Sequence, residues 1–330
     1  MKYFAFSTLF AVVGLGIAFL FLGGLSAAYI VFLLALLEIS ISFDNAVINA
    51  KVLEQMDAKW RDRFIVFGIP IAVFGVRFIL PILIVALASS RGVLEITELA
   101  LNDASAYAAL LQDVMGTIYA FGGAFLLMVF LEFFFDEERD VVWIAPLEKN
   151  RLVQRISKIH FAELFIAAVV GIVLLAVSGQ IAIGIAYFIG LALYALIRGI
   201  DSALAKTGAK SGIVGFLYLE VLDASFSLDG VIGAFALSNN VFVIMLGLAI
   251  GAFYVRSLTI YFVEKKTLSE FIFLEHGARY AIFLLAILMF VQIFTHIPES
   301  VVGSVGIIVI ASAFVHSILH KRRGGTHNDN

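Results

Sequence analysis

The sequence predicts an all-α protein: a polytopic membrane helix bundle of about ten spans with an inverted-topology internal repeat. Three observations predict it. Hydrophobic residues make up 62% of the 330 and charged residues only 14%, with a mean hydropathy of +1.06; a soluble domain has roughly half apolar and about a quarter charged residues. Apolar runs follow one another along the chain, each long enough to cross ~30 Å of hydrocarbon. The basic residues gather in alternate connections. The net charge of −3 gives no sign of a nucleic-acid partner, and the absence of cysteine excludes disulfides, thiolate metal sites and thiol redox chemistry.

The spans are expected at 4–22, 25–49, 64–88, 115–135, 161–178, 181–198, 212–237, 241–263, 279–296 and 302–320, in a single transmembrane domain over 1–330. The first resembles the core of a signal peptide. Its basic flank is only Lys2 and no A-x-A site follows cleanly, so it is kept as a span. Lys51, Lys59, Arg61 and Arg63 follow the second span; Arg139, Lys149, Arg151, Arg155 and Lys158 follow the fourth; Arg198, Lys206 and Lys210 follow the sixth. Lys265, Lys266 and Arg279 follow the eighth, and Lys321, Arg322 and Arg323 open the tail, 321–330. Only Arg91 falls on the opposite side. The positive-inside rule then puts both termini in the cytoplasm. An odd number of spans would scramble the segregation.

The remaining basic residues, Arg77 and Arg256, lie inside the third and eighth spans, and the acids that answer them are duplicated. Glu38-Ile-Ser40-Ile-Ser42-Phe-Asp44-Asn45 in the second span matches Asp223-Ala-Ser225-Phe-Ser227-Leu-Asp229-Gly230 in the seventh. Gly68 and Arg77 recur as Gly247 and Arg256 at the same separation, and Tyr119-Ala120 recurs as Tyr280-Ala281. Repeat one is placed at about 25–135 and repeat two at about 212–296. The motif spans are an odd number apart, so they cross in opposite directions, as in transporters whose sites lie at the midplane between inverted repeats.

A buried carboxylate is costly unless it is paired, protonated or bound to a cation. Glu38, Asp44, Asp223 and Asp229 against Arg77 and Arg256 leave a formal charge of about −2, which a divalent cation would neutralise. Ser42, Asn45 and Ser227 would add oxygen ligands, and Glu220 is a candidate extra one. Such a set suits Mg²⁺, Ca²⁺ or Mn²⁺. Ser40 and Ser225 read as packing hydroxyls, and His276, beside Glu275, as a residue of a solvated loop. Glu132 and Glu163 read as solvated span ends. On a regular helix Glu38, Ser42 and Asn45 share one face, as do Glu220, Asp223 and Ser227, while Asp44 and Asp229 point about 120° away. Either those two face other partners or the helices break near 42–45 and 227–230; a break is the favoured expectation.

The motif pair E-x-x-x-S-x-D-N and D-x-S-x-S-x-D-G resembles the TerC family of integral membrane proteins, named for tellurium resistance, and within it the bacterial branch of unknown function. The resemblance covers residues 25–300. It implies membership of the LysE-like superfamily of small-solute exporters, with Mn²⁺ export or tellurite resistance as associated roles and with Glu38, Asp44, Asn45, Asp223 and Asp229 as the motif residues. Gly230 departs from the polar residue that many relatives carry.

The expected function is therefore a divalent-cation transporter, foremost for Mn²⁺ efflux across a bacterial inner membrane. Arg77 and Arg256 act as counter-ions or gates, H⁺ or Na⁺ coupling is open, and no prosthetic group is expected. Two other readings stand beside it. One is an intramembrane aspartyl hydrolase using Asp44 and Asp229, although Ser-Leu-Asp-Gly around Asp229 lacks that class's Gly-x-Gly-Asp. The other is a non-transporting scaffold for metal loading.

Overall fold

A computed structural model of the chain describes residues 2–136, 141–159, 161–206, 212–238, 240–265 and 271–325, and all regular structure among them is helical. The first helix, α1 (Ala5–Ile17), widens into a π-helical turn, Ala18–Gly23, where the chain reverses. Gly23 and Gly24 adopt φ of +139° and +67°, values a residue with a Cβ rarely takes. After the reversal come α2 (Gly24–Ile41) and, past a single non-helical residue at Ser42, α3 (Phe43–Gln55).

The contacts with α13 (Val241–Lys265) demonstrate the reversal. Ser7 donates to the Phe253 carbonyl and meets the Ser257 hydroxyl, and Phe4 lies against Tyr261, while Gly14 packs on Ile250, so α1 runs antiparallel to α13. Gly247 abuts Val31 and Leu34 and Gly251 abuts Ala35 and Glu38, so α2 runs parallel to it. The 36-residue apolar stretch Ala5–Ser40 is thus folded back on itself. Straight, it would reach about 54 Å, far beyond the hydrocarbon thickness.

The expected third span is built in three pieces: α4 (Ala58–Pro70), a π-helical segment Ile71–Ile79, and α5 (Leu80–Ser89). Pro70 and Pro81 bracket the π-helical segment. A proline supplies no N–H to the ladder and its ring crowds the carbonyl one turn back, which favours a widened helix between the two. Such segments recur at functional sites, and this one carries Arg77.

Beyond the short α6 (Val93–Asn102), Asp103 caps α7 (Ala104–Phe134) by accepting from the Ala106 N–H at 3.0 Å. Two short helices, α8 (Ala145–Glu148) and α9 (Arg151–Ile156), precede α10 (Ala162–Ser178). There follow α11 (Ile181–Lys206), α12 (Gly212–Leu237), α13, α14 (Leu274–Gln292) and α15 (Glu299–Gly325). The last helix runs into what the sequence suggested as a tail; residues 326–330 lie outside the described residues.

At the centre stands α7, whose residues Ala124–Leu131 are all buried. It runs parallel to α11, with Gly116 near Ile183 and Phe125 against Tyr194, and antiparallel to α14, with Phe130 against Tyr280 and Phe283 and Gly123 against Phe290. α10 and α11 form an antiparallel pair: Tyr187 donates to the Ala167 carbonyl at 2.6 Å and Gly184 meets Leu175. α4 and α12 run side by side in the same direction, from Trp60 and Phe64 on Phe216 to Gly68 beside Glu220.

These pairings gather the basic connections at one end of the bundle. Lys51 bridges to Glu275 at 2.9 Å, Arg198 pairs with Glu132, Arg63 stacks on Trp60, and Tyr3 donates to Glu264. That carboxylate pushes the Tyr3 phenol up from its ordinary value. Glu132, expected to be solvated, is part-exposed and pairs there with Arg198. The opposite end carries the pair of Arg91 with Glu95. Outward, α10 and α11 present Phe165, Ile172, Val177, Ile181, Ile185 and Ile189 on the surface, an apolar face suited to lipid. Six of the described helical stretches are long and apolar enough to cross a membrane, which fits a multi-pass membrane protein.

Candidate functional site

Glu38 approaches the end of α2, with 1% of its surface exposed. The helix is interrupted at Ser42 (φ −94°, ψ 15°), whose N–H still reaches the Glu38 carbonyl at 2.9 Å. The Ser42 hydroxyl donates to Glu38 Oε1 at 2.8 Å, and Arg77 Nη2 donates to the same oxygen at 2.5 Å. Arg77 Nη1 lies 3.9 Å from Asp223 Oδ2. One buried guanidinium therefore stands between the leading acids of the two repeated motifs.

Arg256 occupies the corresponding place on α13. Its guanidinium carbon lies 3.7 Å above the centre of the Phe64 ring, a cation–π contact strengthened by burial. Asp223 and Glu220, one turn apart on α12, both attract it. Gly68 makes the approach feasible: a methyl group there would overlap the guanidinium and crowd Glu220 Oε1. Gly251 does the same for α2, because a side chain there would collide with Glu38. Three carboxylates (Glu38, Glu220, Asp223) and two guanidiniums thus interleave at the meeting of α2, the π-helical segment, α12 and α13.

Beside this cluster lies a small, partly open pocket lined by Asn49, Arg77, Asp223, Ala252, Val255, Arg256 and Thr259. Asn45 and Asn49 are buried, at 1% and 4% exposure. The Thr259 hydroxyl donates to the Val255 carbonyl at 2.9 Å and keeps its lone pairs.

Of the residues singled out in the sequence, the structure brings together Glu38, Ser42, Arg77, Asp223, Arg256 and Glu220, with Asn45 buried on the face that carries Glu38. The side chains of Asp44, Ser225, Ser227 and Asp229 lie outside the described residues. Among the described residues, no three His, Asp or Glu side chains are grouped to hold a metal ion. The expected helix break is present at Ser42. Its counterpart is not: α12 runs unbroken from Gly212 to Leu237, since a lone Gly230 leaves every backbone N–H of the ladder in place. Ser40 is exposed and bonds back to the Leu36 carbonyl.

Two residues of the pocket went unnoticed in the sequence, Asn49 and Thr259. Asn49 had a signal: it follows Asn45 by one turn, on the face that carries Glu38 and Ser42. His276 corrects an expectation outright. It is 3% exposed, its Nε2 lies 3.0 Å from the Val141 carbonyl and 3.9 Å from Glu148, and its ring meets Phe133. The segment before α8 folds back over α14 and buries it. Glu148 fastens that segment, accepting from the Trp143 and Ile144 N–H groups at 3.3 and 3.0 Å and from the Tyr280 hydroxyl at 3.1 Å.

No curated protein and no solved structure matches the chain. A family model described as "Protein of unknown function (DUF475)" matches residues 43–324. The match takes in Arg77, Glu220, Asp223 and Arg256 and starts just after Glu38 and Ser42. Because it spans most of the sequence, the chain belongs to the DUF475 family.

Proposed function

We propose that this protein is a divalent-cation transporter of a bacterial inner membrane, exporting Mn²⁺ from the cytoplasm. The observation that carries the reading is Arg77 lodged between Glu38 and Asp223. In the cation-free state a guanidinium holds the charge that an incoming cation would take over, so neither state leaves the carboxylates uncompensated. Asp44 and Asp229 complete the proposed acid set, with Ser42, Asn45 and Ser227 as further oxygen donors and Glu220 as an additional one. Proton or sodium coupling is compatible with carboxylates that change partner.

Ten spans and an inverted repeat are part of the proposal. The turn at Gly23–Gly24 and the pairwise helix directions support an alternating order from α1 to α15, with all the described basic connections except Arg91 at one end, taken as cytoplasmic along with both termini. Reciprocal packing supports the repeat: Gly247 of α13 abuts Val31 and Leu34 of α2, and Gly68 of α4, its repeat counterpart, abuts Glu220 of α12. The resemblance of the paired motifs to the TerC family supports the substrate class.

Purified protein in liposomes tests the reading. Mn²⁺ flux that Asp223→Asn abolishes, with the variant still folded, supports transport. Peptide cleavage without flux would instead favour an intramembrane hydrolase, and neither activity a scaffold.

A further inference from the structure

The polar lining of the pocket continues past the acid–arginine cluster toward the basic end of the bundle. Glu38, Ser42, Asn45 and Asn49 form one stripe across α2 and α3, and all four are at least 96% buried. Lys51, two residues beyond Asn49, already pairs with Glu275 at the basic end. On the facing helix, Thr259 lies beyond Arg256 in the same direction, since α13 closes at Lys265.

Asn49 is the informative member. It lines the pocket, and its Oδ1 is buried without a hydrogen-bond partner. A buried amide oxygen left unpartnered costs about 1–3 kcal/mol, so its retention calls for a ligand that uses it. Asp223 Oδ2, across the same pocket, accepts no hydrogen bond and stands 3.9 Å from Arg77. The Thr259 hydroxyl supplies a third oxygen. An amide carbonyl, a carboxylate and a hydroxyl are hard donors, the set that takes an oxygen-seeking metal cation. Three carboxylates face two guanidiniums across the cluster, so one negative charge is left for a cation, and Asp223 is the carboxylate that borders the pocket.

We infer that Asn49, Asp223 and Thr259 form a second, shallower cation position on the basic-end side of Arg77, where a divalent cation loses part of its hydration before displacing Arg77 from Glu38 and Asp223. This rests on the transport reading above and adds to it an entry site whose distinguishing residue is Asn49.

The test measures Mn²⁺ flux into proteoliposomes against Mn²⁺ concentration for the wild type, Asn49→Leu and Asn49→Asp, with thermal unfolding of each in detergent. A ligand role predicts that N49L raises KM by roughly tenfold or more, the loss that removing even an outer-shell partner of a metal ligand causes, while its unfolding temperature stays level or rises because an unpartnered oxygen has been removed. N49D, nearly the same shape with a charge added, is expected to lower KM, and it remains informative should N49L fail to fold. Wild-type flux with KM unchanged in N49L, or in N49D if N49L fails to fold, would overturn the entry site and leave transport standing. Absence of wild-type flux overturns both.

Discussion

Arg77 and Glu38 meet at 2.5 Å with 5% and 1% of their side chains exposed, one from a π-helical segment and the other from the helix that breaks four residues later. Neither charge has water to fall back on, so the two depend on each other. Replacing Glu38 with Gln leaves the guanidinium with only the longer contact to Asp223 and is expected to destabilise the protein by about 3 kcal/mol, whereas removing both charges costs less than removing one. Unfolding of Glu38→Gln, Arg77→Gln and the double variant in detergent checks this. Strictly additive losses would count against the pairing.

Gly68→Ala places a methyl group into the Arg256 guanidinium. Overpacking of this kind costs about 1–3 kcal/mol, and here it also pushes Arg256 off Phe64. Gly16 provides the control, because nothing lies within 4 Å of a methyl group there. On helix propensity alone, Gly16→Ala should be neutral or stabilising by up to ~1 kcal/mol.

Glu148→Ala removes the acceptor for two backbone N–H groups and for Tyr280. The expected result is a loss of about 2 kcal/mol and faster cleavage by protease between α7 and α10. Tyr280→Phe removes a single bond and should release the segment far less. Equal cleavage of all three proteins would mean that Glu148 does not hold the segment down.

The chain has no cysteine, so single cysteines report on topology without background. Lys59→Cys and Gly92→Cys are expected to react with an impermeant thiol reagent from opposite faces of sealed vesicles, and Gly24→Cys from the same face as Gly92→Cys. Labelling of positions 24 and 59 from one face would contradict the alternating order.

Much of this was legible in the sequence because lipid imposes a simple grammar: apolar length marks spans, and lysine and arginine mark one side. The expected bounds of α12 coincide with the helix, and those of α10 differ by one residue. The meeting of Glu38, Arg77 and Asp223 could be anticipated because unpaired buried charges must find one another. The π-helical segment could not, since it arises from two prolines acting together over eleven residues of ladder. Glu148 and His276 were opaque for another reason. Their burial depends on where a polar connection folds back, which no periodicity records. Asn49 was readable as well, since it lies one turn past the acidic motif on the face that carries Glu38 and Ser42.

The reversal at Gly23 and Gly24 has a bookkeeping consequence for the whole chain. In the proposed ten-span order, the stretch Ala5–Ser40 taken as one crossing would leave an odd total and put residues on either side of the bundle in different compartments. Folded into a pair, it contributes an even number, and an even number is silent: every later helix faces the way it would if the pair were not there. Under the proposed order, the side from which the acidic centre is reached therefore hangs on two adjacent residues that carry no side chain at all.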